Sequence, residues 1–370
     1  MNAEHKTAIA ENLLSWYQAN QRDLPWRRRA ADPYAVWVSE IMLQQTTVAA
    51  VTPYFDRWMQ DFPTIRDLAA APLDEVLKRW AGLGYYARAR NLHRAAQQVV
   101  NDFDGVVPRD PATLKSLPGI GRYTAGAILS IAYNADEPIV DANVTRVVAR
   151  LFVIKGDPKS NAATMAAIWL YAADLIPPGR ASDFNQALME LGALVCDSAS
   201  PRCVSCPLNM LCEAHRLGIA SEYPQIRRDV RWTSHDDVSV ALRNDRGEIA
   251  LVKRSASASL WGGLWELPRS TRLEDEVLVD CAARVVREGL GVEASGLRSF
   301  GVVNHVVAKR KITLHGFVAD CSRVDLSPAG YEELAWSTGS AAARYPMASP
   351  QVRLLRELAL YESQGRLDID

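Results

Sequence analysis

The spacing of apolar residues changes once along the chain, and this change constrains the fold more than any other feature. From the N-terminus to about residue 220, apolar residues recur at i, i+3 and i+4 between breakers such as Gly105 and Pro177, which predicts amphipathic helices. Further on, the spacing falls to two in Val238–Leu242 and Ile249–Lys253, on either side of a turn at Asn244–Gly247, which predicts a β-hairpin. We therefore expect an all-α domain followed by an α+β domain.

The same patterns give limits for the domains and their elements. The helical domain is expected over 1–220, a linker over 221–232 and the α+β domain over 233–362. In the first domain, the predicted helices are Thr7–Ala19, Ala35–Val51, Leu73–Trp80, Ala87–Phe103, Tyr123–Tyr133, Val144–Phe152 and Ala162–Ile176. In the second, we expect strands at Val302–Val307 and Lys311–Val318 and helices at Leu278–Glu288 and Gln351–Tyr361.

Length and charge narrow the class of protein. A chain of 370 residues corresponds to two or three domains at about 150 residues each. Its apolar content excludes a disordered chain, and the lack of a long uncharged apolar run or a signal peptide predicts a cytoplasmic protein. The net charge of −1 argues weakly against nucleic-acid binding, because local clusters matter more than the sum. One such cluster is Lys78–Arg94, which is basic, lacks acidic residues and contains Trp80, Tyr85 and Tyr86.

A dense group of cysteines predicts a metal centre. Cys196, Cys203, Cys206 and Cys212 form C-x6-C-x2-C-x5-C, whereas the other two cysteines lie far away in the second half. Disulfides are disfavoured by the expected cytoplasmic location. Zinc remains open, but its folds usually have two C-x2-C pairs, so an iron–sulfur cluster held by four thiolates suits this loop, 196–212, at least as well.

A glycine-rich turn between two predicted helices suggests an anion site. Leu117-Pro118-Gly119-Ile120-Gly121 precedes the helix that begins near Tyr123. Gly119 and Gly121 permit close approach of the backbone, and free N–H groups at a helix start attract phosphate. By itself the motif could equally be a tight helix–helix turn.

These motifs together resemble a known family. Leu117–Gly126 resembles the helix-hairpin-helix of base-excision DNA glycosylases, and Asp141 follows Gly121 at the family's distance for its catalytic aspartate. Within that superfamily the chain resembles the MutY-type adenine DNA glycosylases through Leu24–Arg27, Ser39–Thr46 and Gly82–Arg88. The resemblance implies a helix-hairpin-helix domain with a [4Fe-4S] loop, followed by a Nudix-like domain.

Hydrolysis of the N-glycosidic bond of adenine needs one carboxyl group that donates a proton to the base and one that stays charged beside the sugar. Glu40 lies in the apolar run Val36–Leu43, where burial would raise its pKa and prepare it as a general acid. Asp141 precedes an apolar helical run and would cap that helix; N–H donors would keep it ionised, and the resemblance makes it the residue that stabilises the sugar cation.

Other roles follow from the resemblance alone. Tyr123 and Asn143 would support the sugar and Asp141. Tyr123 stands where the endonuclease III type has its lysine nucleophile, which implies a monofunctional glycosylase. The residues implied for the adenine pocket are Leu24, Trp26, Arg27 and Gln186, and those implied for DNA binding are Gln44, Gln45 and Tyr85.

Four further candidate DNA contacts rest on local chemistry. They are Gly119 and Gly121 in the glycine-rich turn, Arg88 in the basic cluster and Arg202 in the cysteine loop.

The second domain resembles a Nudix domain through Trp261–Pro268. Its Arg284–Val292 segment retains one of the three glutamates of an active Nudix helix, too few for Mg²⁺, so we expect recognition without hydrolysis. In the family this domain reads 8-oxoguanine through a Phe-Ser-His loop. Val303-Asn304-His305 stands at the position of that loop, so the resemblance implies that Asn304 and His305 contact the lesion.

The sequence thus predicts a monomeric bacterial enzyme, cytoplasmic and working on the nucleoid, that removes adenine mispaired with 8-oxoguanine or guanine in double-stranded DNA. Two alternatives stay open. One is a pyrimidine-lesion glycosylase with lyase activity, which Tyr123 disfavours. The other is a non-catalytic DNA-binding module, which the Glu40 and Asp141 pair disfavours.

Overall fold

The computed structural model describes residues 2–226, 231–322 and 325–367. The described chain divides into two compact units, one of Met1–Ala70 with Asn91–Arg228 and one of Ala71–Arg90 with Asp229–Asp370. The predicted domain limits, 1–220 and 233–362, stay a prediction. Part of the predicted linker, 227–230, lies outside the described residues.

Up to residue 226 the chain forms helices, as the apolar spacing predicts. A single π-turn, Ile128–Ala132, continues the eighth helix. The helices are α1 (Ala3–Asn20), α2 (Pro33–Leu43), α3 (Val48–Asp61), α4 (Ile65–Ala70), α5 (Leu73–Trp80), α6 (Ala87–Asp102), α7 (Pro111–Ser116), α8 (Arg122–Ala127), α9 (Ala142–Leu151), α10 (Ala162–Asp174), α11 (Ala181–Leu194) and α12 (Glu213–Arg216).

One predicted helix, Ala35–Val51, is wrong, because the structure divides it into α2 and α3. Gln45 has φ +58°, a left-handed conformation that interrupts a helix. Thr47 then caps α3 by accepting a hydrogen bond from the Ala50 N–H at 3.3 Å. The break places Gln44 and Gln45 in a short turn directly after the helix of Glu40.

A hydrophobic core built from α1, α9, α10 and α11 holds the helices that carry the candidate site. Leu13, Val148, Ile168 and Leu188 are fully buried in it. Because α9 begins at Ala142, directly after Asp141, this core fixes the position of that carboxyl group.

Two glycines, in the hairpin and in the helix that follows it, allow the backbone to pack closely against neighbouring segments. Gly119 has φ +79°, and a Cβ there would lie 2.7 Å from the Cβ of Asn91. Gly126, on α8, faces the carbonyl oxygen of Pro138, which a Cβ would approach to 2.4 Å. No side chain fits at either position without a shift of the chain.

The second unit contains one mixed sheet, with seven strands among the described residues. The strand order is β3-β2-β1-β6-β5; β4 pairs with β1, β7 pairs with β2, and β1 and β6 are parallel. The strands are β1 (Thr233–Arg243), β2 (Ile249–Arg254), β3 (Trp265–Glu266), β4 (Arg269–Thr271), β5 (Ser295–Val307), β6 (Arg310–Asp320) and β7 (Tyr331–Ser337).

Two helices cover the faces of this sheet. Helix α13 (Leu278–Leu290) packs on the face of Val238 and Phe317, and α14 (Ser349–Leu367) packs on the face of Leu314 and Val303. The predicted hairpin, strand pair and both helices are confirmed. Within the described ranges, no helix has the length and apolar character needed to cross a membrane.

Candidate active site

The first unit contains a cavity of about 470 Å³, within the usual size range for a site that encloses a small ligand. It brings together both candidate catalytic carboxyl groups and the predicted adenine pocket, although these residues are far apart in sequence. The predicted residues that line it are Leu24, Trp26, Arg27, Glu40, Gln44, Gln45, Tyr123, Asp141, Asn143 and Gln186.

Glu40 is the buried acid of this cavity. Its residue is 5% exposed on a helix whose neighbours from Tyr34 to Met42 are also buried. Burial raises the pKa of Glu40 from 4.5 to about 7, and the charge of Asp141 adds to the rise. The Tyr123 hydroxyl donates a hydrogen bond to Oε2 of Glu40, which lowers the pKa and so opposes part of this rise. Near neutral pH, a substantial fraction of Glu40 therefore carries a proton, as the apolar sequence around it predicts.

Asp141 accepts more hydrogen bonds than Glu40 does. Its Oδ1 accepts the Val144 N–H at 2.7 Å, which caps α9, and its Oδ2 accepts the Asn143 side-chain amide at 2.8 Å. Burial nevertheless raises the pKa of Asp141 above its ordinary value, while these hydrogen bonds lower it. The predicted helix cap is confirmed, although the carboxyl group is more buried than a cap alone requires.

An arginine on the same helix holds Asn143. Arg146 donates to Oδ1 of Asn143 at 2.9 Å, to the Gly192 carbonyl at 2.8 Å and to the Cys196 carbonyl at 2.7 Å. With its oxygen occupied, the amide of Asn143 is oriented to donate to Asp141. Arg146 therefore connects the candidate site to the start of the cysteine loop.

Glu190 also lines the cavity, and the sequence analysis missed it. Its carboxylate accepts bidentate hydrogen bonds from Arg22, at 2.7 and 2.9 Å, and from Arg27, at 2.8 and 3.1 Å. Burial alone would raise its pKa, but these bonds together lower the pKa of Glu190 to about 2. A glutamate within the apolar run of α11 was the available signal, the same signal that singled out Glu40.

The cavity walls are mostly apolar. Leu24 and Trp26 are buried, and the Trp26 ring packs edge-on against Phe55 with centroids 5.7 Å apart. Gln186 is buried on α11, where its amide donates to the Ser182 carbonyl at 3.3 Å. Apolar walls with a few polar groups suit a flat heteroaromatic ligand.

The other predicted DNA contacts do not line this cavity. Gly121 starts α8 in an extended conformation, and Tyr85 is 45% exposed with φ +48°. Arg88 donates to the Leu83 and Gly84 carbonyls at 2.9 and 3.2 Å and lies over the Trp80 ring. Its hydrogen bonds thus hold the loop that presents Tyr85.

The four cysteines line a separate small cavity of about 30 Å³, together with Arg150 and Arg202. All four are free thiols, and burial raises the pKa of Cys206 to about 12. Arg150, itself buried, donates to the Cys196 sulfur at 3.3 Å and to four backbone carbonyls of the loop and its surroundings. Among the described residues, no three His, Cys, Asp or Glu side chains converge as ligands of a single ion do.

Comparison with known proteins identifies the family. Residues 38–172 match the model of the HhH-GPD superfamily base excision DNA repair proteins, and 238–357 match the NUDIX domain. An adenine DNA glycosylase from Mus musculus is 36% identical over 386 residues, an alignment that covers 89% of this chain and 74% of the mouse protein.

The chain belongs to the adenine DNA glycosylase family.

Further relatives agree with this assignment. An adenine DNA glycosylase from Rattus norvegicus is 51% identical over 218 residues, covering 57% of this chain, but the chain spans only 42% of that relative. A solved thermostable thymine-DNA glycosylase superposes with a TM-score of 0.53 at 31% identity, covering 58% of this chain and 98% of the other. The predicted family and the order of its two folds are confirmed.

In this member of the adenine DNA glycosylase family, the segment expected to form the 8-oxoguanine recognition loop lies in a strand instead of a loop. Val303–His305 lies within β5, and the loop between β5 and β6 is Ala308–Lys309, with φ +45° and +66°. The expectation is wrong because the β5–β6 ladder continues to the pair Val307 and Arg310, and two left-handed residues suffice for the turn.

Asn304 and His305 consequently point to opposite faces of the sheet, as neighbours on a strand do. Asn304 is exposed. The His305 ring lies 5.3 Å from the Trp261 ring, and both its nitrogens are buried without a hydrogen-bond partner among the described residues. Burial, followed by the charges of Arg269 and Arg353, lowers the pKa of His305 to about 4.

Proposed function

We propose that this protein hydrolyses the N-glycosidic bond of adenine mispaired with 8-oxoguanine or guanine in double-stranded DNA. The observation that carries the proposal is the pair of carboxyl groups in one cavity: Glu40 is buried and accepts one hydrogen bond, from Tyr123, whereas Asp141 is partly buried and accepts two, from the Val144 N–H and the Asn143 amide. The adenine would reach this cavity by extrusion from the duplex, which costs a few kcal/mol in lost stacking and pairing.

Glu40 is the proposed general acid. A pKa raised to about 7 lies near the operating pH, where an acid both carries its proton and releases it readily. It would protonate a ring nitrogen of adenine, so that the base departs as a neutral molecule. Tyr123, whose own pKa is raised by burial, stays protonated and orients the Glu40 carboxyl group.

Asp141 is the proposed stabiliser of the sugar cation. As the glycosidic bond breaks, positive charge develops on the sugar, and a nearby carboxylate lowers the energy of that state. The cap donor Val144 N–H and the Asn143 amide favour the ionised form. With Tyr123 at the position of a lysine nucleophile, no efficient Schiff-base step is expected, so the enzyme is monofunctional.

We propose that a [4Fe-4S] cluster is held by four cysteine ligands, Cys196, Cys203, Cys206 and Cys212. In such a cluster each thiolate binds a different iron, so the cysteines stand farther apart than the ligands of one zinc ion. The four cysteines line one small cavity, as four thiolate ligands of a single group would, and the cluster is proposed over zinc because the loop has only one C-x2-C pair. Bound iron and sulfide would stabilise the fold of the loop that presents Arg202.

The Nudix-like domain is proposed to read 8-oxoguanine, with His305 as the candidate contact, suggested by its ring nitrogens, which lack a partner among the described residues, and by its tilted packing against Trp261. Asn304 stands on the other face and is a weaker candidate. We further propose that the protein is a monomer and that it acts in the cytoplasm, on the DNA of the nucleoid.

A glycosylase assay on matched duplexes tests the function. Adenine is placed opposite 8-oxoguanine, guanine or thymine, and single-turnover release is followed before and after alkali cleaves abasic sites. We expect release from the first two duplexes, none from the third, and strand breaks only after alkali. Release from none of them would refute the proposed function, and breaks without alkali would indicate a lyase.

A further inference from the structure

An exposed basic patch in the second unit has no part in the site described above. It consists of Arg231, Trp232, Lys309, Arg310 and Lys311, all of them exposed, and we call it the hairpin-tip patch. Three consecutive cations stand at the hairpin tip, Lys309 in the turn and Arg310 and Lys311 at the start of β6; the other cation and the tryptophan directly precede β1.

The sheet topology brings these two segments together. Because β1 and β6 run parallel with Thr233 opposite Arg310, the start of β1 lies beside the hairpin tip. The Thr233 N–H donates to the Lys309 carbonyl at 3.2 Å. The Lys311 ammonium lies 5.9 Å from the centre of the Trp232 ring, so the patch is ordered around an aromatic side chain.

Among the residues that the structure describes, no carboxylate forms an ion pair with a cation of this patch. Neither 231–235 nor 304–315 contains an acidic residue. The next carboxylates along β1 already have partners: Asp236 pairs with His315 at 3.0 Å and with Arg272, and Asp237 pairs with Arg269 at 2.7 Å. Four cations therefore stand together on a protein whose net charge is −1.

We propose that the hairpin-tip patch binds the phosphodiester backbone of the duplex, independently of the mispaired bases. The proposal rests on the proposed function in that DNA is the substrate. Exposed cations at the end of a hairpin suit a row of phosphates rather than an enclosed ligand, and contacts to phosphate position a protein without reading sequence. Each neutralised phosphate releases counterions, so the patch should contribute to the salt dependence of binding.

The test compares two triple variants of the full-length protein. One is Lys309→Gln/Arg310→Gln/Lys311→Gln. The matched control, Arg246→Gln/Arg287→Gln/Arg356→Gln, removes the same charge from exposed positions of the same unit outside the patch. Affinity for a fully paired duplex and for one with 8-oxoguanine opposite cytosine is measured by fluorescence anisotropy between about 50 and 200 mM salt.

We expect the patch variant to reduce the slope of log K against log salt by about 2 to 3. The reduction should be equal on both duplexes, with an unchanged single-turnover rate at saturating enzyme. A slope equal to that of the control variant overturns the proposal, as does a loss confined to the 8-oxoguanine duplex. If the triple variant unfolds early, Arg310→Gln alone should reduce the slope by about 1.

The two proposals fail in different ways. If the wild-type protein released no adenine from any duplex, the proposed function would fall, while the salt slope would still decide whether the patch binds DNA. If adenine were released but the slope did not respond to the patch variant, the proposed function would stand and the hairpin-tip patch would have no role in binding.

Discussion

The side-chain amide of Asn143 donates a hydrogen bond to Oδ2 of Asp141 at 2.8 Å, two residues away. Arg146 fixes that amide from the other side through its oxygen, at 2.9 Å. The amide cannot rotate to present its oxygen to Asp141 without losing this second bond, so the carboxylate always faces a donor.

Replacing Asn143 by alanine should therefore impair Asp141. Loss of a donor that lowers the pKa of Asp141 raises that pKa further, and the ionised fraction falls most at low pH. We expect a rate loss of about tenfold or more, with the acid limb of the single-turnover pH profile moved to higher pH. Asn20→Ala, at an exposed site, is the control; a uniform loss at all pH values would contradict the assigned cause.

Glu40→Gln should abolish proton donation while keeping the shape of the side chain. General acid catalysis typically contributes about 10²- to 10⁴-fold, and we expect a loss in that range in single-turnover adenine release. Glu11→Gln, exposed on α1, should behave as wild type. If Glu40→Gln kept full activity, the proposed mechanism would be wrong.

The same substitution should stabilise the protein at higher pH. Folded Glu40 has a pKa of about 7 against 4.5 for an ordinary glutamate, so the folded state binds the extra proton. Its contribution to stability is fully present below about pH 4.5 and is lost as pH rises through about 7, a difference of about 3 kcal/mol. Urea unfolding of Glu40→Gln and wild type should diverge between these pH values in favour of the variant. Parallel curves would show that Glu40 titrates normally.

Glu190→Gln should destabilise the first unit, because Arg22 and Arg27 lose a shared buried carboxylate. Breaking such a pair costs about 3–5 kcal/mol. With a pKa lowered to about 2, Glu190 stabilises the fold above the ordinary glutamate pKa and loses this effect as pH falls towards 2. The control, Glu213→Gln, breaks an exposed pair with Arg216 that is worth about 0–1 kcal/mol. Equal unfolding free energies for the two variants would argue against a structural role for Glu190.

The cysteine loop should hold iron, and one substitution should reveal it. Cys203→Ser removes a proposed ligand, whereas Cys281→Ser changes a buried cysteine outside the loop. We expect visible charge-transfer absorbance and iron in the wild type and in Cys281→Ser, with both reduced in Cys203→Ser. Stoichiometric zinc without iron in the wild type would refute the cluster.

Local patterns predicted the elements of this fold well, because each depends on nearby residues. The spacing of apolar residues predicted β1, β2 and α13, and the apolar residues around Glu40 predicted that its side chain is buried. The break at Gln45 was missed because apolar residues continue on both sides of it, and a left-handed residue leaves no mark on the hydrophobic pattern. The predicted strands place the turn after Val307, where it is found, but the recognition loop was placed at Val303–His305 because a resemblance in a short segment does not fix strand register.

Contacts between residues that are far apart in the sequence could not be predicted, for a different reason. Arg22 and Glu190 are 168 residues apart, and neither has a local partner that marks it as buried and charged. The basic segment Lys78–Arg94 was interpreted as a surface for DNA, yet Arg88 binds backbone carbonyls within its own loop. Composition counts charges, whereas only the fold decides which of them remain available to a ligand.

The contact between Gly126 and the Pro138 carbonyl restricts which residue position 126 can carry. Gly126 lies on the helix that follows the hairpin, and Pro138 precedes Asp141 by three residues. Since not even a methyl group fits between them, any side chain at position 126 would push this helix and the segment that leads to Asp141 apart. In the proposed mechanism, that displacement would move the Asp141 carboxylate relative to a sugar whose phosphates stay bound at the hairpin.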